Sequence, residues 1–392
     1  MRPAPLAVTA LLSAALAVPL AAPGFAAPAL PAASTPLAAT AHTPSAGEAL
    51  RQKALDDLVA AGVPGVIAEV RDARGVWTGK SGRADLHHRR PLATDGRFRA
   101  GSVTKSFVAT TVLQLVAERR VALDAPVARY LPGLVPHGRD ITVRQLLGHR
   151  SGLHNYTDSL WSGSLQELYR NRFRTWAPRE LVAESARHAP DFAPGTAGHY
   201  SNTNYVLLGM LIERVTGDTA EHEITRRILK PLGLRHTSFP GTSVRIPGPH
   251  ARGYQRLDGP DSAFTDITEE NMSWAWTAGA LISTSHDLNR FFAALIGGRL
   301  LPPALLREMK EARPMDRGPR YGLGLSVLDS PAYGTAYGHT GGAPGYGTYS
   351  FTTADNKRQV TIAINTLADT EAMSRAADEA LETLLRPEAK PE

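Results

Sequence analysis

Residues 101–107 read Gly101-Ser102-Val103-Thr104-Lys105-Ser106-Phe107. The pattern predicts a helix from Ser102 to about Glu118, which sets Lys105 one turn on from the serine and on the same face. The hydroxyl then lies at the positive end of a helix, with an ammonium in reach to hold or accept its proton. A serine is inert as a nucleophile at its free pKa, and this pairing is one way to activate it. The same residues also suit an ordinary helix cap, so the segment decides nothing until others join it.

Two more segments do. Phe192-Ala193-Pro194-Gly195 is followed by Tyr200-Ser201-Asn202 and an apolar helix over 205–215. Residues two apart on an extended chain point the same way, so a phenol and a carboxamide share one side of a loop. The phenol serves as a base if neighbouring cations lower its pKa, and the carboxamide can hold a substrate amide. Further on, Tyr337-Gly338-His339-Thr340-Gly341-Gly342 reads as a strand that presents a cation or proton donor, a hydroxyl and bare backbone. The two glycines let a substrate backbone approach that strand closely.

In this chain order the three segments resemble the penicillin-recognising serine hydrolases: class C β-lactamases, D-alanyl-D-alanine carboxypeptidases and related esterases. Their order is Ser-x-x-Lys, Tyr-x-Asn, then Lys or His followed by Thr or Ser and Gly. Phe98-Arg99-Ala100-Gly101, the run from Leu146 to Leu153, and the run from Ala278 to Thr284 add to the likeness, which covers about residues 48–386. It is strongest to the secreted Streptomyces-type D-alanyl-D-alanine carboxypeptidases, which share Gly-Ser-Val-Thr-Lys-Ser-Phe, Tyr-Ser-Asn-Thr-Asn and Gly-His-Thr-Gly. The resemblance implies an α+β, β-lactamase/transpeptidase-like fold, with an antiparallel sheet completed by the terminal segments, flanking helices and a mostly helical second lobe. It implies Ser102 as the acylated nucleophile, Lys105 and Tyr200 as the proton-handling pair, and His339 in the place of the more usual lysine. Asn202 orients the substrate amide, Thr340 and Gly342 bind substrate along the strand, and Trp274 and Trp161 line the cleft. The backbone N–H groups of Ser102 and Gly342 form the oxyanion hole. The expected substrate is a small peptide, ester or β-lactam, and the leading expectation is carboxypeptidase action on peptidoglycan peptides.

Two departures bear on that substrate. The carboxypeptidases follow His-Thr-Gly with a threonine that helps hold the terminal carboxylate, where this chain has Gly342. They also carry an arginine just after Gly-Leu-Gly-Leu, where this chain has Ser326. A charge-assisted hydrogen bond is worth roughly 1.5–3 kcal/mol, so losing both contacts lowers carboxypeptidase efficiency by orders of magnitude. Arg320 and His339 are the candidates to compensate. Without compensation the alternative is an esterase or peptidase whose substrate lacks a free C-terminal carboxylate.

The rest of the chain narrows the class. Its 392 residues hold no cysteine, so disulfide scaffolds, thiolate metal sites and cysteine nucleophiles are excluded. The net charge is +6, but no concentrated basic stripe marks a nucleic-acid binder. Arg2, an apolar stretch from Leu6 to about Ala22, and Gly24-Phe25-Ala26 read as a signal peptide over 1–26. Residues 27–47 read as a disordered Ala/Pro linker, 48–386 as a single two-lobed domain and 387–392 as a tail. The expected product is a secreted monomer with no stable membrane anchor, no metal and no cofactor. Residues 75–81 imitate a phosphate loop but have three residues between the glycines instead of four. His222-Glu223 starts a zinc-helix motif that ends on Arg226 instead of histidine. No Gly-x-Ser-x-Gly occurs. His149 is read as structural, holding a loop.

Overall fold

The computed structural model describes residues 45–88, 90–161 and 164–388. The expected signal peptide and almost all of the expected linker lie outside these residues. The fold starts slightly earlier than composition suggests. Helix α1 spans Ala46–Ala60, and Ser45 caps it through a reciprocal pair in which Ser45 Oγ accepts from the Glu48 N–H and the Glu48 carboxylate accepts from the Ser45 N–H. Ser45, Ala46 and Gly47 therefore belong to the domain and not to the linker. At the other end Glu388 pairs with Arg51 and Arg74, so the first residues assigned to the tail are tied to α1 and to the turn after β1 (Gly65–Asp72).

The remaining strands are β2 (Gly75–Gly82), β3 (Phe98–Arg99), β4 (Tyr254–Arg256), β5 (Phe264–Asp266), β6 (Ile282–Ser283), β7 (Arg320–Tyr321), β8 (Ser326–Ser330), β9 (Gly334–Ala343), β10 (Tyr346–Thr353) and β11 (Gln359–Ile364). Among the described residues seven of them form one sheet in the order β2-β1-β11-β10-β9-β8-β7, with every neighbouring pair antiparallel. β1 and β2 come from the start of the domain and the rest from its end, so the terminal segments complete the sheet as expected. β3 pairs with β6, and β4 with β5, as separate two-stranded ribbons. β7 and β8 are separated by a turn in which Gly324 takes φ +84.

Strand periodicity divides the sheet between two cores. Val66, Ala68 and Val70 of β1 and Val360, Ile362 and Ile364 of β11 face α1 and the C-terminal helix Glu371–Leu385. Ile67 and Ala363 face the opposite side, where the helix Ser285–Ile296 and the helical lobe pack. The lobe is organised around α2 (Thr104–Ala117), eleven of whose fourteen residues are buried. An α-helix buried all round needs apolar or internally satisfied side chains on every face. Thr110 and Thr111 meet that need by donating to backbone carbonyls one turn back, and Phe107 stacks on Phe291 at 3.6 Å. No helix of the described residues is long and apolar enough to cross a membrane.

Candidate active site

The site lies where the start of α2 meets β9. Ser102 is not in the α-helix itself but in the single 3₁₀ turn Gly101–Val103 that precedes it. The spacing to Lys105 survives, since i and i+3 also share a face in that geometry. Gly101 takes φ +53, and a Cβ there would stand within 3 Å of the Gly342 backbone. A Cβ on Gly341 would stand 2.0 Å from the Ala100 carbonyl oxygen. Both glycines are therefore demanded by the close approach of two backbones, and that approach brings β9 against the serine. β8 pairs with β9 only as far as Gly338, so residues 339–343 have no β8 partner on that edge.

Lys105 is fully buried, and its Nζ lies 2.9 Å from Ser102 Oγ, 2.8 Å from Asn202 Oδ1 and 2.7 Å from the Ala278 carbonyl. Burial pushes its pKa well below the ordinary lysine range. A neutral amine has two N–H donors and one lone pair. In the three contacts Nζ donates to each oxygen; once it gives up a proton, the two remaining donors can stay on Asn202 and Ala278 and the lone pair can turn to the Ser102 hydroxyl. The Tyr200 ring lies 4.8 Å from the Lys105 nitrogen. Among the described residues its buried hydroxyl has no hydrogen-bond partner of normal geometry, although Ser102 stands near enough to restrain its pKa. Burial nevertheless drives that pKa upward. The expectation that cations lower the phenol's pKa is thus reversed: burial favours the protonated phenol at Tyr200 and the uncharged amine at Lys105.

Asn202 opens the helix Asn202–Thr216. Its N–H donates to Asn155 Oδ1 at 2.9 Å and its Nδ2 donates to Thr157 Oγ1 at 3.1 Å. Among the described residues the second Nδ2 proton has no partner, which leaves it available to a substrate carbonyl. Asn155 and Thr157 were not picked out from the sequence, and a four-residue polar turn carries no signal that could have done so. Between them Tyr156 donates to the Trp274 carbonyl at 2.5 Å, which ties the tryptophan to the same end of the site. Trp274 is half-buried and meets Trp161 edge-on at 4.7 Å. Trp161 itself is buried in a small cluster with Leu168 and Ile267, so it backs Trp274 and does not line an open cleft.

His339 departs furthest from expectation. Its Nδ1–H donates to the Thr340 carbonyl and its Nε2 accepts from Tyr321 Oη at 2.8 Å. Burial drops its pKa to about 3, so it is a neutral, internally satisfied imidazole and cannot stand in for a lysine cation. Arg320 does not compensate either. It pairs with Asp329, which sits toward the other end of β8 from Gly338's partner Ser326. Ser326 is buried. Along β9 the alternation buries His339 and Gly341 and exposes Thr340 and Gly342. His149 is buried at φ +55, accepts the Ser201 N–H on Nδ1 at 3.2 Å, and packs tilted against the Tyr200 ring at 4.2 Å between centroids. It holds the loop, as expected, and holds the phenol as well.

These groups can carry acyl transfer: a hydroxyl touching a buried lysine nitrogen, a phenol beside both, and backbone of Gly101 and Ser102 in close approach to Gly342 and Gly341. The Beta-lactamase family model matches residues 51–385 of the chain. The protein belongs to the β-lactamase family. It is a serine-type hydrolase of that family with the β-lactamase/transpeptidase-like fold. A D-stereospecific amidohydrolase from Streptomyces sp. is 40% identical, with 85% of this chain and 97% of that one covered and a TM-score of 0.79. The D-amino acid amidase of Ochrobactrum anthropi SV3, solved with L-phenylalanine amide, is 32% identical over 87% of this chain and 98% of that one, with a TM-score of 0.78. Esterase EstB of Burkholderia gladioli is 28% identical over 342 residues, which cover 75% of this chain and 84% of the esterase.

Proposed function

We propose that this β-lactamase-family protein is an exported hydrolase that cleaves amide or ester bonds of D-configured substrates through an acyl-enzyme on Ser102, releasing a group without a free carboxylate. The observation that carries the chemistry is the buried Lys105 amine 2.9 Å from the serine hydroxyl. The amine takes the Ser102 proton as Oγ bonds to the scissile carbonyl carbon. The N–H groups of Ser102 and Gly342 receive the developing oxyanion. Tyr200 gives its proton to the leaving nitrogen or oxygen as that bond breaks, and the Lys105 ammonium restores the phenol. Water then attacks the acyl carbon as it gives a proton to Lys105, the acyl–Oγ bond breaks, and the Tyr200 hydroxyl returns a proton to Ser102 Oγ and is itself restored by the Lys105 ammonium.

The D-configuration is supported by the likeness to the amidohydrolase and the amidase over nearly their whole length. The leaving group follows from charge: His339 is neutral, Arg320 is spent on Asp329, and Ser326 is buried. Carboxypeptidase action on D-alanyl-D-alanine is the second reading, favoured by the three motifs quoted above. Export rests on Arg2, the apolar stretch behind it and Gly24-Phe25-Ala26. The test has two parts. A fluorophosphonate probe is expected to label the wild type covalently and to leave Ser102→Ala unlabelled; labelling of that variant would remove Ser102 from the reaction. A D-amino acid amide is expected to be turned over faster than a D-Ala-D-Ala peptide, and the reverse order would restore the carboxypeptidase reading.

A further inference from the structure

Just beyond β11 the chain holds an apolar side chain in front of the bare strand. A Cβ on Gly342 would stand 3.1 Å from Leu367 Cδ2. Leu367 is half-buried, and among the described residues it packs on neither of the two large apolar cores. Its backbone is fixed on both sides. Asn365 donates to the carbonyls of Arg83 and Arg252, Thr366 is buried and bridged to Tyr254 with its hydroxyl on the Leu367 carbonyl, and Asp369 pairs with Arg256 at 3.0 Å. A rigidly placed leucine that packs on neither large core, set against the exposed glycine at the site end of β9, has the character of a ligand contact.

We infer that Leu367, over the space left by Gly342, forms an apolar shelf for the leaving group and makes the enzyme select hydrophobic alkyl or aryl amines and alcohols. The inference deepens the proposed function and rests on its assignment of the carbonyl oxygen to the Gly342 N–H. With the oxygen there, the groups on the scissile carbon pass beside the Gly342 Cα, where a side chain at that position would have met them. Leu367 fills that approach with methyl groups and offers a carboxylate no donor. Selectivity in this form is a ratio between substrates that share an acyl group.

The experiment compares kcat/KM for D-phenylalanine p-nitroanilide, D-phenylalanine amide and D-phenylalanyl-D-alanine. Leu367→Ala is expected to lower the anilide-to-amide ratio about tenfold, and Leu367→Lys to raise the ratio of the dipeptide to the amide. Ratios that match the wild type in both variants would overturn the shelf. Phenyl acetate and methyl acetate keep the two claims apart. A wild type that turns over these esters but none of the D-phenylalanine substrates counts against the proposed function. In that event the phenyl-to-methyl ratio decides the shelf: a fall in Leu367→Ala supports it, and an unchanged ratio overturns it.

Discussion

At the scale of the residue, the site is governed by which buried groups give up their charge. Lys105 loses its proton easily because burial penalises the ammonium, and Tyr200 keeps its proton because burial penalises the phenolate. The two shifts support the proposed division of labour, with the amine as base and the phenol as proton relay. Tyr200→Phe removes only the relay, so acylation is expected to slow by ~10²–10⁴-fold while the fold survives. The acidic limb of kcat/KM should stay where the wild type has it, because activity falls as pH is lowered through the Lys105 pKa in both proteins. A limb that disappears with the hydroxyl would move the titration to Tyr200 and overturn the assignment; stopped-flow labelling across pH reads both quantities. His149 is the support for this arrangement. It sits in a backbone conformation unusual for a non-glycine residue, and its ring lies against the phenol.

At the scale of the element, β9 is a strand whose two site glycines do different work. Gly341 faces the helical lobe, and its missing Cβ would collide with a backbone oxygen that cannot rotate away. Gly342 faces outward with no left-handed φ, and its missing Cβ would meet only the end of a leucine. Gly341→Ala is therefore expected to push β9 off the Ser102 turn and to cost ~10²-fold in kcat/KM, with a far smaller loss in Gly342→Ala. Equal losses would show that the backbone approach does not set the geometry. The sequence exposed much of this strand's role. The order of the three motifs and, through the resemblance they carry, the completion of the sheet by the terminal segments were both legible, because short local motifs record them. The 3₁₀ turn that carries Ser102 was not, since one residue of tightening leaves the apolar spacing almost unchanged. Nor were Asn155, Thr157 and Leu367, whose meaning comes from partners 25 to 45 or more residues away. The charge of His339 was misread for a related reason: burial decides it, and a motif does not record burial.

At the scale of the whole molecule, the same burial that tunes the site couples stability to pH. The sheet closes on one side against α1 and the C-terminal helix and on the other against the helical lobe, and the site sits on the lobe side. His339 is enclosed there between Tyr321 and the Thr340 carbonyl, with its pKa lowered from 6.5 to about 3. His149, also fully buried, is shifted in the same direction. Between those two values the unfolded chain binds a proton at His339 that the folded chain refuses. Stability therefore rises with pH across this window, is complete above about 6.5, and is lost as pH falls toward 3. One such proton gives a slope of about 1.4 kcal/mol per pH unit. Urea unfolding followed by tryptophan fluorescence between pH 4 and 6.5 is expected to show a slope shallower by about that amount in His339→Gln than in the wild type. The variant is also expected to be less stable at pH 7, where the Tyr321 hydrogen bond is disturbed, but that offset does not depend on pH. Parallel wild-type and variant curves would mean that His339 takes up a proton in the folded protein as readily as in the unfolded one. A cation would then stand near Tyr200 below about pH 6.5, and the argument that this site lacks a partner for a carboxylate would lose its main support.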